Sequence, residues 1–184
     1  MNIDPQQVVS DTRHWLESAV IGLNLCPFAK AVHVKGQVHY AVSPATDWNG
    51  VLADLERELH ALLACSPDER DTTLLMVPAC LHDFVEFTGL VAQGERVLAQ
   101  RGVQGQIQLA SFHPRFQFAG TAPDAIENFT NRAPYPTLHL LREASIDRAV
   151  TAFPDASAIY DANIATLERL GHDGWHALMN RTKP

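Results

Sequence analysis

The residues best suited to chemistry are concentrated in one polar, proline-punctuated segment, residues 111–143. Two of its arginines, Arg115 and Arg132, carry planar guanidinium groups that bind carboxylates or phosphates through paired hydrogen bonds. The segment also offers side chains that both donate and accept hydrogen bonds. These further candidates for ligand binding are Asn128, Asn131 and Tyr135. Together the residues predict a pocket for a small anion.

Two histidines and a carboxylate in the same segment are candidates for proton transfer. His113 stands where a predicted strand ends, which is the edge of an open α/β sheet at which ligands bind. His139 and Glu143 would share one face of a later strand, because side chains alternate along a strand. An ideal strand separates the two by about 13 Å, so a shared pocket is predicted rather than direct contact. These three residues are the predicted acid–base groups.

A cysteine far from this segment is the candidate nucleophile. Cys26 precedes Pro27, and a helix starting at that proline would place Cys26 at its N-cap, where the helix dipole favours a thiolate. Lys30 and Lys35 lie nearby in sequence and would add to this effect. Lys30 is also a candidate for ligand binding. The alternative is that Cys26 is a small buried hydrophobe among apolar neighbours.

Each of these residues also has a purely structural interpretation. Arginine and asparagine in a proline-rich loop often satisfy backbone carbonyls and hold the loop in place. A metal site would need folding to assemble its ligands from Cys26, His33, His113 and His139, so no metal ligand is assigned. The phosphate-binding glycine loop, the dinucleotide fingerprint and the hydrolase nucleophile elbow do not occur in the sequence. The sequence therefore leaves the cofactor open.

Hydrophobic periodicity predicts the elements that must position these residues. A hairpin is predicted at 31–42, turning at Lys35 and Gly36, because glycine tolerates the positive φ of a tight turn. Other strands are predicted at 72–77, 107–112 and 138–142. Five helices are predicted. Three are at 8–23, 82–101 and 159–170. One more begins after a cap at Thr46 or Asp47, and another runs from a cap at Ser145 through Phe153, with a chain break at Pro154.

This alternation of strands and helices predicts one α/β (or α+β) domain over residues 1–184, with about four to five strands in one sheet. The middle of the chain follows a thioredoxin-like order of elements, and a ferredoxin-like arrangement is the other candidate. The core is predicted at 5–170, followed by a weakly patterned tail at 172–184. The aperiodic stretch 113–136 is long for a loop, and its aromatic residues indicate that it is ordered.

The composition limits the classes of function. A chain of 184 residues that is 46% hydrophobic and 19% charged can form a core. Its formal net charge of −7 disfavours nucleic acids and anionic membranes as partners. No secretory signal and no apolar run of about 20 residues is visible, so neither export nor membrane insertion is predicted. The three cysteines fit free thiols in the cytoplasm.

Three strings stand out together: GLNLCPFAKAVHVKGQ (22–37), ASFHPRFQFAGTAPD (110–124) and NFTNRAPYPTLHLLREASIDRAV (128–150). They resemble the bacterial family catalogued as domain of unknown function 1415, from about Thr12 to Leu170. The resemblance implies no activity, cofactor or catalytic residue. It implies that the Cys-Pro turn and the segment 111–143 belong to the family signature. Ala133 stands where a serine is expected, so a hydroxyl at that position is not required.

The leading hypothesis is a small-molecule enzyme that acts on a phosphate- or carboxylate-bearing metabolite, with its site in segment 111–143 together with Cys26. One alternative is a non-catalytic domain that binds a ligand or a protein. The other alternative is a metal-binding protein. The substrate, the reaction and the oligomeric state are left open by the sequence.

Overall fold

The structure is a computed structural model that describes residues 3–152 and 156–180. The strands are β1 (Val38–Val42), β2 (Thr72–Met76), β3 (Ile107–Phe112) and β4 (Thr137–Arg142). The helices are α1 (Pro5–Trp15), α2 (Ala29–Val34), α3 (Trp48–Ala64), α4 (Phe84–Gln100), α5 (Glu143–Ala152) and α6 (Ala156–Met179). A π-helical turn (Leu16–Ile21) continues α1, and a 3₁₀ helix (Ile126–Asn131) lies between β3 and β4. None of the helices in the described ranges is long and apolar enough to cross a bilayer.

The strands form one open mixed sheet in the order β1-β2-β4-β3. The outer pair β1 and β2 is parallel, whereas β4 runs antiparallel to both of its neighbours. This confirms the predicted α/β class, and the predicted order of strand, helix, strand, helix, strand, strand, helix runs from β1 to α5. His139 lies at the centre of the sheet, opposite Leu74 of β2 and Ala110 of β3.

Helices cover both faces of the sheet. On one face, Leu75, Leu138 and Leu140 join a core cluster with apolar residues of α3 and α4. On the other face, Leu74 and Met76 pack against α1. Because β2 is covered on both sides, all of its residues are buried, as its apolar sequence predicts. The face that carries Leu74 also carries His139, so this second face is the one that positions the site.

The helix starts follow the capping rules. Asp47, one of the two predicted caps, accepts a hydrogen bond from the backbone N–H of Gly50 at 2.9 Å and begins α3. Asp83 does the same for α4 through Glu86, at 3.0 Å. Pro5 occupies the first turn of α1, where it has no hydrogen-bond partner to lose.

The predicted hairpin at 31–42 is wrong, since its first half is the helix α2. Gly36 has a φ of 71°, as a tight turn would require, but here it follows the last turn of α2. A glycine with positive φ ends helices as readily as it closes hairpins. Val34 is 74% exposed, so the apolar pattern that suggested a strand does not report burial.

Two further predictions at the C-terminal end are corrected. Ser145 is not a helix cap, because α5 begins at Glu143, directly after β4. The tail is not weakly patterned at 172–179: α6 continues beyond a kink at Gly171 and buries Trp175, whose ring centroid lies 5.4 Å from that of Phe129. The predicted break at Pro154 and the helix end at Phe153 fall outside the described residues.

Candidate functional site

A cavity of about 160 Å³ lies against the second face of the sheet, bounded by the π-helical turn, α2 and α5. Much of its lining is apolar and includes Trp15, Val20, Leu74, Phe112, Ile146 and Ala149. Polar groups interrupt this lining at Cys26, Asp71, Thr72, His139, Arg142 and Ser145. A cavity of about 150 Å³ in another protein accepts benzene, which gives the scale of molecule that fits.

The cavity brings together two of the predicted catalytic residues, Cys26 and His139, which are distant in sequence. The chain reaches Cys26 through the π-helical turn, an irregularity that is frequent at functional sites. The carbonyl of Val20 then accepts hydrogen bonds from the N–H groups of Leu25 at 2.9 Å and Cys26 at 3.4 Å. These bonds fold the backbone back after the helix and place the thiol in the cavity wall.

His139 is held as a neutral imidazole. The hydroxyl of Thr72 donates to the carbonyl of Leu140 at 2.7 Å, so it can only accept from the Nε2–H of His139, at 2.6 Å. Burial lowers the pKa of His139 to about 4, because a charged ring is poorly solvated in the interior. No group in residues 3–152 or 156–180 hydrogen-bonds Nδ1. That nitrogen is therefore a hydrogen-bond acceptor left for a ligand or water.

The predicted N-cap position of Cys26 is wrong. The cap of α2 is Phe28, and the carbonyl of Cys26 accepts from the N–H of Ala29 at 3.3 Å. The thiol packs against the apolar cluster that contains Trp15 and Leu16. Cys26 is therefore not at the N-terminus of a helix, and what makes it a candidate is its place in the cavity wall.

Two other predicted site residues are not at the cavity. Glu143 is the first residue of α5, so it does not share a strand face with His139; its N–H donates to the carbonyl of Gln106 at 2.9 Å. The prediction that Glu143 and His139 share a strand face is wrong because β4 ends at Arg142. Lys30 is exposed on α2 and does not line the cavity.

His113 belongs to the scaffold of the loop. Its side chain is fully buried between the rings of Phe84 and Phe87, with centroid distances of 5.3 and 5.0 Å. Nδ1 accepts from the N–H of Arg115 at 2.9 Å, so Nε2 carries the proton and donates to the carbonyl of Leu81 at 3.0 Å. Burial lowers the pKa of His113. Both ring nitrogens are thus used within the protein.

The polar side chains of the loop mainly bind its own backbone. Asn128, which is fully buried, accepts from the N–H of Phe118 and the hydroxyl of Thr121, both at 2.9 Å, and donates to the carbonyl of Ala122 at 2.8 Å. Asn131 accepts from the hydroxyl of Thr130 at 3.2 Å. These bonds replace the ladder that a regular element would provide.

The remaining predicted ligand-binding residues of the loop are engaged in the same way. Arg115 donates to the carbonyl of His82 and lies 3.5 Å from the carboxylate of Asp83. Tyr135 donates to the carboxylate of Asp11 at 2.7 Å; burial first, and then this bond, raise the pKa of Tyr135 to about 12. The predicted anion pocket in segment 111–143 thus has its main donors directed at protein acceptors.

Arg132 lines a more open groove of about 430 Å³ beside α6, but its guanidinium also serves the loop. It donates to the carbonyls of Phe116 at 3.3 Å and Pro123 at 2.5 Å, and it lies 4.0 Å from the ring centroid of Phe129. These contacts tie the two ends of the loop together. We therefore assign Arg132 a structural role and take the sheet cavity as the candidate site.

Arg132→Ala should lower the free energy of unfolding by about 2 kcal/mol, because it removes two hydrogen bonds from a charged donor and a cation–π contact. Urea denaturation of the variant and of wild type measures this difference. Arg169→Ala, on an exposed position of α6, is the matched control and should change stability by less than about 0.5 kcal/mol. Equal stability of Arg132→Ala and wild type would contradict the structural role.

The residues considered for a metal site are not assembled. Both ring nitrogens of His113 are engaged near Phe84 and Phe87, whereas His139 lies beside Phe112 on the cavity side. Across the described ranges, no three His, Cys, Asp or Glu side chains gather as metal ligands. Sequence reasoning also missed Asp71 and Thr72. Their signal was two polar residues at the start of an otherwise apolar strand.

Comparison with known proteins adds a family but no activity. No curated protein and no solved structure matches the chain. A family model described as a protein of unknown function (DUF1415) matches residues 7–177, which include all the elements that form the cavity. The chain therefore belongs to the DUF1415 family, as its three signature strings indicate.

Proposed function

We propose that this protein binds a small, mostly apolar organic molecule in the sheet cavity, and that His139 and Cys26 are the groups that would act on it. The observation that supports this proposal is the cavity itself, which joins Cys26 and His139 in one largely apolar space. Apolar cavities with a few converging polar groups are the usual form of a small-molecule site.

The volume limits the ligand. A space of about 160 Å³ accommodates a body of roughly benzene size, whether aromatic or branched aliphatic. Leu74 and Phe112 on the sheet and Ile146 on α5 would contact such a body. Transfer of this apolar surface from water supplies the binding energy.

The chemistry available to the site is proton transfer and nucleophilic attack. A neutral His139 with a free Nδ1 can accept a hydrogen bond from a bound hydroxyl, amine or thiol. Because its pKa is about 4, it takes up the proton itself only from an acidic group of the ligand. Cys26 in the same wall supplies a thiol that becomes a nucleophile once it loses its proton. An enzyme that uses these groups would act on a ligand with an acidic or electrophilic atom next to its apolar body.

A protein-interaction domain is less favoured by the described surface. The exposed large apolar side chains each lie on a different helix: Val34, Val85, Val150 and Tyr160. Single apolar residues of this kind are normal on soluble surfaces. A bounded cavity therefore supports a small-molecule ligand better than a protein partner.

Fluorobenzene, a neutral probe of the right size, should bind to wild type and broaden or shift its ¹⁹F NMR signal. Ala149→Leu should abolish this effect, because the larger side chain fills part of the cavity from α5. Ala144→Leu adds the same atoms at an exposed position of α5 that does not line the cavity, and it should bind like wild type. Equal binding to wild type and Ala149→Leu, or no binding to either, would refute the proposal.

A further inference from the structure

The cavity adjoins a groove of about 320 Å³ that is lined by charged residues. Phe28, Val32, Asp71, Ser145 and Ala149 line both spaces, so the two are adjacent. The groove adds two cations, Lys35 and Arg148, and a further carboxylate, Asp68. A ligand with its apolar body in the cavity would therefore place its polar end near both positively and negatively charged side chains.

An acidic residue, Asp71, and a basic residue, Arg148, lie close together where the two spaces adjoin. The hydroxyl of Ser145 donates to Oδ1 of Asp71 at 2.5 Å and accepts from Nη2 of Arg148 at 2.9 Å. The carboxylate and the guanidinium are thus separated by a single hydroxyl group. Asp71 is only 7% exposed, whereas Arg148 is exposed on α5.

Both charges keep capacity for a ligand. Within residues 3–152 and 156–180, Oδ2 of Asp71 accepts no hydrogen bond, and neither Lys35 nor Arg148 forms an ion pair. Lys35 ends α2 and Arg148 lies on α5, so the cations approach the groove from its two walls. The exposed guanidinium of Arg148 suits a negatively charged group of a ligand, and the buried carboxylate of Asp71 beside the apolar cavity suits a positively charged group of the same ligand.

We infer that the ligand is an α-amino acid with an apolar side chain, whose ammonium group binds Asp71 and whose carboxylate binds Arg148 and Lys35. This inference rests on the proposed binding of an apolar body in the sheet cavity. An α-amino acid holds its two charges one carbon apart, which matches an acid and a base that share one hydroxyl. An aromatic or branched side chain would fill the cavity.

Four probes that share a phenyl group test this on wild type: L-phenylalanine, 3-phenylpropanoate, 2-phenylethylamine and fluorobenzene. We expect phenylalanine to bind roughly ten-fold more tightly than either singly charged probe, by isothermal titration calorimetry. If fluorobenzene binds and phenylalanine is no tighter than the singly charged probes, this inference is wrong while the proposed function stands. If no probe binds, the proposed function itself fails.

Two variants separate the charges. Asp71→Asn keeps the shape and should weaken phenylalanine and phenylethylamine roughly ten-fold but leave phenylpropanoate unchanged. The double variant Lys35→Gln with Arg148→Gln should weaken phenylalanine and phenylpropanoate but leave phenylethylamine unchanged. Lys30→Gln, an exposed change on α2, is the control and should bind all probes like wild type. Equal losses for all charged probes in either variant would overturn the assignment, and the exposed double variant tests it even if Asp71→Asn does not fold.

Discussion

Replacing His113 with alanine is expected to destabilise the protein by about 4 kcal/mol. The change removes a fully buried ring that packs between Phe84 and Phe87, and large-to-small changes in a core cost about 2–5 kcal/mol. It also leaves the carbonyl of Leu81 and the N–H of Arg115 without their partners. Leu81 also has a φ of 62°, so the carbonyl that would lose its partner belongs to a residue with a strained backbone.

Urea denaturation measures this loss, and His113→Phe divides it into two parts. Phenylalanine restores the volume of the ring but neither hydrogen bond, so this variant should lose about 2 kcal/mol. Fluorobenzene binding to the folded His113→Phe protein should equal that of wild type, since His113 does not line the cavity. A small loss of stability together with a loss of binding would show that His113 belongs to the site instead.

The second large effect is a pH dependence that His139 gives to stability. Its pKa falls from 6.5 to about 4 on folding. Between these values the unfolded chain binds the proton and the folded protein does not, so stability falls as the pH falls. The shift corresponds to about 3 kcal/mol, which is present above pH 6.5 and lost as the pH drops to 4.

The free energy of unfolding of His139→Gln should therefore fall by about 3 kcal/mol less than that of wild type between pH 7 and pH 4. Glutamine can still donate to Thr72 but does not titrate. Free energies of unfolding at both pH values give the difference, and groups that titrate in both proteins cancel. His60→Gln, at an exposed position of α3, is the control and should follow wild type. Parallel pH profiles for His139→Gln and wild type would show that His139 is not a buried neutral imidazole.

The elements that sequence predicts well are those whose burial follows a simple period. β2 is an apolar run, and the structure buries it on both faces. The helices α3 and α4 have one apolar stripe and an aspartate cap each. The wrong predictions lie where one local sequence feature is compatible with two structures. Gly36 could close a hairpin or end a helix, and only the packing of α2 beside the cavity decides between them.

The site was predictable in its chemistry but not in its assembly. Cys26 and His139 are reactive residue types, yet their meeting depends on how β4 inserts between β2 and β3. Arg132 and Asn128 were misleading for a physical reason. The donors that would bind an anionic ligand are the same donors that satisfy carbonyls in an irregular loop. Sequence does not show which acceptor a guanidinium or an amide will find.

Ligand binding in the sheet cavity is tested most directly by a crystal structure of the protein soaked with bromobenzene, with bromine located by its anomalous scattering. A bromine peak is expected between the sheet and α5, within contact of Leu74, Phe112 and Ile146. A peak confined to the groove beside Arg132 and Trp175 would show that the sheet cavity is not the binding site and would return the site to the segment 111–143.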